Sequence, residues 1–162
     1  MNIIPWKVHQ NAILAGGIAC GVDVTLQWMK SKRIDFKQTA RIVSFSALST
    51  YPQASYFNAI DRIFHKKTLQ SVINKTLTNQ FVFAPINLSC AIAWNLAFQQ
   101  KTHLISNKIK TSMVPSMVEG SSYWIPINIL AFSMVPASHR IVFFKLAGIP
   151  YKVMFNMRVN QK

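Results

Sequence analysis

Long stretches without a charged side chain constrain this sequence more than any other feature. Asp, Glu, Lys and Arg are all missing from four windows, which cover residues 8–21, 42–60, 76–100 and 120–139. A transmembrane helix needs about 20 mostly apolar residues, whereas a helix on the surface of a soluble bundle carries charges along its outer face. The windows therefore predict an all-α integral membrane bundle.

Four transmembrane helices account for the windows. Their expected bounds are about 8–29, 36–61, 70–100 and 120–147. The segment between the third and fourth spans places its apolar residues in one stripe, which is typical of a helix lying along a membrane interface. We therefore expect a short interfacial helix there, and a single membrane domain over residues 1–162.

The charge balance indicates which surface the protein meets. Lys and Arg number 18 against four acids, a net charge of +14, and such an excess is typical of proteins that bind nucleic acid or an anionic membrane. Nucleic acid binding does not explain the charge-free windows, so we expect anionic, cardiolipin-like lipids as partners and no nucleic acid. The candidate headgroup-binding residues are Lys30, Lys32, Arg33, Lys37, Lys66 and Lys67.

The four acids stand out because two of them fall in or at the end of predicted spans. Asp23 lies about 9 Å inside the end of the first span, level with Arg41 in the second, so we expect these two side chains to pair inside the bundle. Asp61 is expected to pair with Arg140. Two roles stay open for this polar interior: ion pairs that fasten helices, or the lining of a pore. The residues concerned are Asp23, Gln27, Arg41, Asp61, Asn79, Gln80, Asn128 and Arg140.

Small residues and prolines indicate close helix packing. Gly17 and Gly21 form a GxxxG pair, and Ala12, Gly16 and Cys20 form a second row of small residues, so a partner helix can approach the first span closely. The GxxxG pair fits a contact within the chain and a contact in a homodimer equally well. Each proline frees a backbone carbonyl that another helix or a hydrated cavity must satisfy; the prolines in question are Pro52, Pro85, Pro126 and Pro136. Cys20 and Cys90 fall inside predicted spans, where we expect them to pack in the core.

Motifs that would support catalysis are missing from the sequence. There is no HExxH, no GxSxG and no glycine-rich phosphate loop, and the four His residues are scattered without the spacing of metal ligands. The sequence therefore predicts a protein that is not an enzyme, with no metal and no cofactor.

Two segments, KTLTNQFVFAP and VPASHR, carry a family resemblance. With other positions between about residues 10 and 150, they resemble the Mpv/PMP22 family of small peroxisomal and inner mitochondrial membrane proteins. The matching positions are Gly21, Asp23, Gln27, Tyr56, Phe57, Ile60, Asp61, Lys75, Asn79, Gln80, Pro85, Trp124, Pro126, Phe132, Val135, Pro136, His139 and Arg140. The chain departs from the family pattern at Val22, Tyr56, Asn79 and Ala131, where the family has Gly, Trp, Asp and Asn.

The resemblance implies a four-helix membrane protein without established enzymatic activity and, for some members, a proposed pore for small solutes. It also implies the mitochondrial inner membrane, with the peroxisomal membrane as the alternative. Our main hypothesis is an accessory or structural subunit of a larger inner-membrane complex. The alternative hypothesis is a small-solute channel.

Overall fold

The computed structural model describes residues 6–66 and 68–159, and every regular element in this part of the chain is helical. The prediction of an all-α protein is confirmed. The α-helices are α1 (Trp6–Ser31), α2 (Phe36–Leu48), α3 (Thr50–Ile63), α4 (Leu69–Thr78), α5 (Ala84–Phe98), α6 (Ile105–Met134) and α7 (Ala137–Val159). A π-helical turn (Asn79–Phe83) joins α4 to α5, and a 3-10 turn (Thr102–Leu104) precedes α6.

The helices belong to two compact units. The first unit takes the described residues of Met1–Ser55 and Ala137–Lys162, and the second takes Tyr56–Pro136. The first unit therefore contains α1, α2 and α7, and the second contains α4, α5 and α6. The sequence predicted a single membrane domain over residues 1–162. The division into two compact units does not test that prediction.

Prolines break two of the four predicted spans. The span predicted at 36–61 is divided at Ser49 into α2 and α3, because Pro52 has no N–H to donate to the carbonyl of Leu48. The span predicted at 120–147 is divided between α6 and α7. There Val135 is extended, with φ −91° and ψ 123°, as expected for a residue that precedes proline.

The remaining spans agree better with the prediction. Two helical segments, Trp6–Ser31 and Leu69–Phe98, are long and apolar enough to cross a membrane, so the count of four spans stays a prediction. No separate interfacial helix is found within the described residues, since the segment after the 3-10 turn forms the first half of the 30-residue helix α6. That helix stays continuous although it contains Pro115 and Pro126.

Small residues let α1 approach α2 in the first unit. One face of α1 is buried, and it consists of Ala12, Ala15, Gly16, Ala19, Asp23 and Gln27. A Cβ atom added to Gly16 would lie 3.6 Å from Val43 and 3.7 Å from Ala47 of α2. The Ser46 hydroxyl also donates to the carbonyl of Ala15 at 3.0 Å. The helices therefore meet at Gly16.

The GxxxG pair makes no close contact within the described part of the chain. A Cβ atom added at Gly17 or Gly21 would meet nothing within 4 Å among the described residues, because one residue along a helix turns the side chain by about 100° from the packed face. A contact of this pair with another molecule stays a prediction. Cys20 lies on the same uncovered side of α1 and is exposed, as is Cys90 on α5. The expectation that both cysteines pack in the core is wrong.

Aromatic rings fill the interior of the second unit. Tyr56 stacks on Phe83 of the π-helical turn, with 4.3 Å between ring centroids. Phe57 meets Phe132 of α6 edge to face at 6.0 Å. These contacts join α3, the π-helical turn and α6. By contrast, α5 has no fully buried residue, and most of its side chains are half-buried.

Candidate functional site

Two groups of buried polar side chains are the candidate sites, one in each unit. The Asp23 cluster, in the first unit, consists of Asp23, Gln27, Gln38 and Thr39. The Asn79 cluster, in the second unit, consists of Asn79, Gln80, Ser121 and Asn128. Both lie on helices that also contribute the apolar surface of their unit.

Three side chains hold the Asp23 carboxylate, which is only 7% exposed. Oδ2 accepts hydrogen bonds from Gln27 Nε2 at 2.5 Å and from Thr39 Oγ1 at 2.6 Å. Oδ1 accepts one from Gln38 Nε2 at 3.0 Å. The cluster therefore satisfies most of the hydrogen-bonding capacity of a carboxylate inside the helix pair.

The sequence around the α1–α2 connection places these donors. Asp35 caps α2, since its Oδ1 accepts from the backbone N–H groups of Lys37 and Gln38. Gln27 Oε1 accepts from the backbone N–H of Asp35, so one glutamine joins the end of α1 to the start of α2. The first turn of α2 then brings Gln38 and Thr39 level with Asp23.

Arg41 is not the partner of Asp23. No salt bridge to Asp23 is formed within the described part of the chain, so the predicted Asp23–Arg41 pair is wrong. Arg41 follows Thr39 by two residues, and residues two apart on a helix do not share a face.

A cavity of about 390 Å³ opens beside the Asp23 cluster. Its wall comes from the end of α1, the connection and the start of α2, and the lining residues are Asp23, Leu26, Gln27, Lys30, Ser31, Arg33, Ile34, Asp35 and Gln38. Two carboxylates and two cationic side chains are among them. The cavity is therefore polar and mixed in charge, and its formal charge is balanced.

The Asn79 cluster is built around the π-helical turn. Asn79 Nδ2 donates to Asn128 Oδ1 of α6 at 2.6 Å, and Gln80 Nε2 donates to Ser121 Oγ at 3.0 Å. Asn128 is 1% exposed. The wide turn precedes Pro85, which cannot donate to an earlier carbonyl, and such single π-turns are often found at functional sites.

Three polar atoms of the second unit are buried without a hydrogen-bond partner among the described residues. They are Tyr56 Oη, Thr76 Oγ1 and Asn79 Oδ1. A buried polar group without a partner costs about 1–3 kcal/mol, so the interior of this unit has polar capacity that its own side chains do not fill. Ordered water or a polar solute would satisfy it.

The second predicted ion pair joins Asp61 to Arg140. Asp61 Oδ1 accepts from Lys75 Nζ of α4 at 2.7 Å, and the two side chains form a salt bridge. Arg140 is buried in the first unit. The pairing of Asp61 with Arg140 stays a prediction.

The other predicted residues are spread along the connections and helix ends. Lys30, Lys32, Arg33 and Lys37 are all exposed around the α1–α2 connection, and Lys66 is exposed after α3; Lys67 lies outside the described residues. Lys32 Nζ stands 5.4 Å from the centroid of the Trp28 ring. Pro52, Pro126 and Pro136 are exposed and Pro85 is half-buried, so none of these prolines is a core packing residue.

Sequence reasoning missed four polar partners: Gln38, Thr39, Lys75 and Ser121. Gln38 and Thr39 lie in the first turn of α2, where polar residues are usual because they suit a helix start exposed to water. The signal that could have found Thr39 is its place after the short connection, which folds α2 back along α1 and brings Thr39 level with Asp23.

These features define an all-helical protein with segments that can cross a membrane and with polar side chains inside its helix packing. The sequence profile of the Mpv17 / PMP22 family matches residues 95–156, which cover most of α6 and α7. No solved structure matches the chain.

Similar curated proteins extend the match over most of the chain. "PXMP2/4 family protein 4" of Dictyostelium discoideum is 24% identical, over 85% of this chain and 74% of its own length. "Mitochondrial inner membrane protein Mpv17" of Danio rerio is 22% identical, over 97% and 91%. "Protein sym1" of Aspergillus oryzae is 22% identical, over 76% and 71%.

The profile match and the similar curated proteins together support membership of the Mpv17/PMP22 family. These relatives are membrane proteins of mitochondria or peroxisomes, and the names of the Mpv17 relatives support the mitochondrial inner membrane as the location. The peroxisomal alternative also fits the family. The expected location agrees with this result.

Proposed function

We propose that the protein is a non-catalytic, accessory subunit of a larger protein complex in the mitochondrial inner membrane. The observation that supports this proposal is the second small-residue face of α1. Gly17 and Gly21 lie on it, and no atom of the described residues is close to where their side chains would be. Cys20 is exposed beside them. This face is distinct from the one that packs on α2.

The physical argument depends on the solvent around α1. Lipid tails are as apolar as leucine, so helices in a membrane associate through close van der Waals packing and hydrogen bonds rather than through the hydrophobic effect. At Gly16 the chain already uses a small residue to bring α2 close to α1. A second face with the same property favours a second helix, supplied by another subunit.

Membrane lipids are the other proposed partners. The exposed basic residues around the α1–α2 connection follow directly on a helix that can cross a membrane. Each Lys or Arg near an anionic membrane surface contributes about 1 kcal/mol of attraction. We infer that these residues bind anionic, cardiolipin-like headgroups and hold this end of α1 at the surface.

A matched pair of substitutions tests the subunit proposal. Cys20→Leu adds bulk to the proposed contact face, whereas Cys90→Leu makes the same change at an exposed position on α5. On native gels of mitochondria in mild detergent, we expect wild type and Cys90→Leu to migrate with a large complex and Cys20→Leu to shift toward the monomer. Equal migration of all three, or migration of wild type as a monomer, contradicts the proposal.

A second candidate function, a small-solute channel, is favoured by the unpartnered polar atoms of the second unit. Tyr56, Thr76 and Asn79 each bury one such atom, and a pore needs polar groups that water or solute can satisfy. If the isolated protein conducts small solutes in planar bilayers and Asn79→Leu abolishes the conductance, the channel replaces the subunit as the best account. Absence of conductance from protein that is folded leaves the subunit.

A further inference from the structure

The cavity at the α1–α2 connection combines features that neither packing nor headgroup attraction explains. It lies between the end of α1 and the start of α2, and its volume of about 390 Å³ falls at the small end of the range of about 300–1,000 Å³ for ligand pockets. Two acids, Asp23 and Asp35, face two bases, Lys30 and Arg33, around it. The wall thus carries both signs of charge.

The acidic side of the cavity retains hydrogen-bonding capacity. A carboxylate offers about four acceptor positions, and the described residues use three of them on Asp23. Asp35 accepts its two capping bonds at Oδ1, so Oδ2 takes none from the described residues. An ammonium group, with its three N–H donors, suits such a set of acceptors.

The basic side is equally available. Lys30 and Arg33 are exposed, and neither forms a salt bridge within the described residues. Lys32, their neighbour, lies over Trp28 instead and does not line the cavity. A carboxylate or phosphate placed between Lys30 and Arg33 would receive charge-assisted hydrogen bonds, which are the strong ones.

Ligands of a single charge do not fit this wall. A simple anion would lie close to two carboxylates, and a simple cation would lie close to two basic side chains, with like-charge repulsion in each case. A zwitterion pairs each of its charges with the opposite charge of the wall. Asp23 and Lys30 are two helical turns apart, about 10.5 Å along the axis between their Cα atoms. The flexible four-carbon stem of Lys30 can bring its ammonium group closer to Asp23, so that a compact zwitterion contacts both.

The order of the charges with depth distinguishes a free solute from a lipid. Asp23 lies eight residues before the end of α1, about 12 Å inside the helix, whereas Lys30 lies in the last turn of α1 and Arg33 follows its end. In an aminophospholipid the ammonium group is farther from the hydrocarbon than the phosphate. The cavity presents the reverse order, with its site for the ammonium group deepest.

We propose that this cavity binds a small free zwitterion of the α-amino acid type, with its ammonium group on Asp23 and its carboxylate between Lys30 and Arg33. This assignment does not depend on the proposed subunit role. Loss of the site need not change migration on native gels, and loss of the complex need not change the site, so the two tests can fail separately.

Calorimetric titration of the full-length protein in phosphatidylcholine nanodiscs tests the assignment. The probe is L-alanine, and methylammonium and acetate serve as ligands that carry one charge each. We expect saturable binding of L-alanine and at least tenfold weaker binding of both single-charge ligands. No saturable binding of L-alanine, or acetate binding as tight as that of L-alanine, would overturn the proposal.

Two variants and one change of lipid complete the test. Arg33→Gln, at an exposed position that should fold normally, is expected to weaken L-alanine binding at least tenfold, whereas Lys32→Gln should change it less than twofold. Equal effects of the two variants would contradict the site. Loss of the L-alanine signal in nanodiscs rich in phosphatidylethanolamine would identify a lipid headgroup as the occupant, and this outcome also overturns the assignment to a free solute.

Discussion

The Asp23 cluster and the Asn79 cluster are both buried and polar, yet their hydrogen bonds are satisfied to different degrees. In the first unit, three donors surround one carboxylate. In the second unit, neutral amides pair with one another, while Thr76 and Asn79 each keep an atom that has no partner among the residues that the structure describes. Charge explains the difference, because an unsatisfied buried charge is far more costly than an unsatisfied neutral group.

The comparison shows how one small protein separates two tasks. A carboxylate with three hydrogen-bond donors fastens α1 to α2 and leaves one side of its cluster open to a cavity. A partly bonded amide cluster fastens the π-helical turn to α6 and leaves capacity for water or solute. Substitutions should therefore have larger effects in the Asp23 cluster than in the Asn79 cluster.

The largest effect is expected from Gln27→Leu. This change removes one donor to the Asp23 carboxylate and the acceptor for the backbone N–H of Asp35, so a buried charge loses part of its support. We expect the free energy of unfolding to fall by about 2–4 kcal/mol, measured by circular dichroism during unfolding in mixed micelles. Gln10→Leu, at an exposed position of the same helix, is the control and should change it by less than about 0.5 kcal/mol.

Asn128→Leu should have an intermediate effect. It removes the acceptor for Asn79 Nδ2, and we expect a loss of about 1–2 kcal/mol in the same assay. The double variant with Asn79→Leu should be less destabilised than the sum of the two single variants, with a coupling of about 0.6–1.7 kcal/mol. Strict additivity would show that the two amides do not interact.

The smallest effect is expected from Lys75→Gln. Its salt bridge with Asp61 is partly exposed, with 12% and 26% of the two side chains accessible. We expect a double-mutant cycle with Asp61→Asn to give a coupling of less than about 1 kcal/mol, further reduced in 1 M salt. A coupling above about 2 kcal/mol would mean that this pair behaves as a buried one, and the contrast with the Asp23 cluster would disappear.

Much of the fold follows from the sequence. A segment surrounded by lipid must avoid charged side chains and must also form a helix, because its backbone polar groups find no water there. The windows predicted α1 and the Leu69–Phe98 segment well. The windows did not predict that the helices break at Ser49 and before Ala137. Hydropathy reports how apolar a side chain is, and it does not register that a proline lacks a backbone N–H group. Pro126 stays within α6 while Pro136 ends it, a distinction that depends on what the freed carbonyls contact.

The site was predicted less completely. Asp23 and Gln27 were placed in the interior from their depth in an apolar run, and the structure buries both. Their partners are uncharged, however, and nothing in the sequence separates Gln38 and Thr39 from ordinary polar residues at a helix start. Prediction favoured Arg41 because opposite charges attract, whereas in the structure hydrogen bonds from neutral groups satisfy the carboxylate.

Photo-crosslinking in intact mitochondria tests the subunit account most directly. A benzophenone amino acid replaces Cys20 in one variant and Cys90 in another, so the reactive group lies on the small-residue face of α1 or on the exposed side of α5. The account predicts a discrete protein adduct from position 20 that is absent, or much weaker, at position 90. Lipid adducts alone at position 20, or the same protein adducts at both positions, would contradict it.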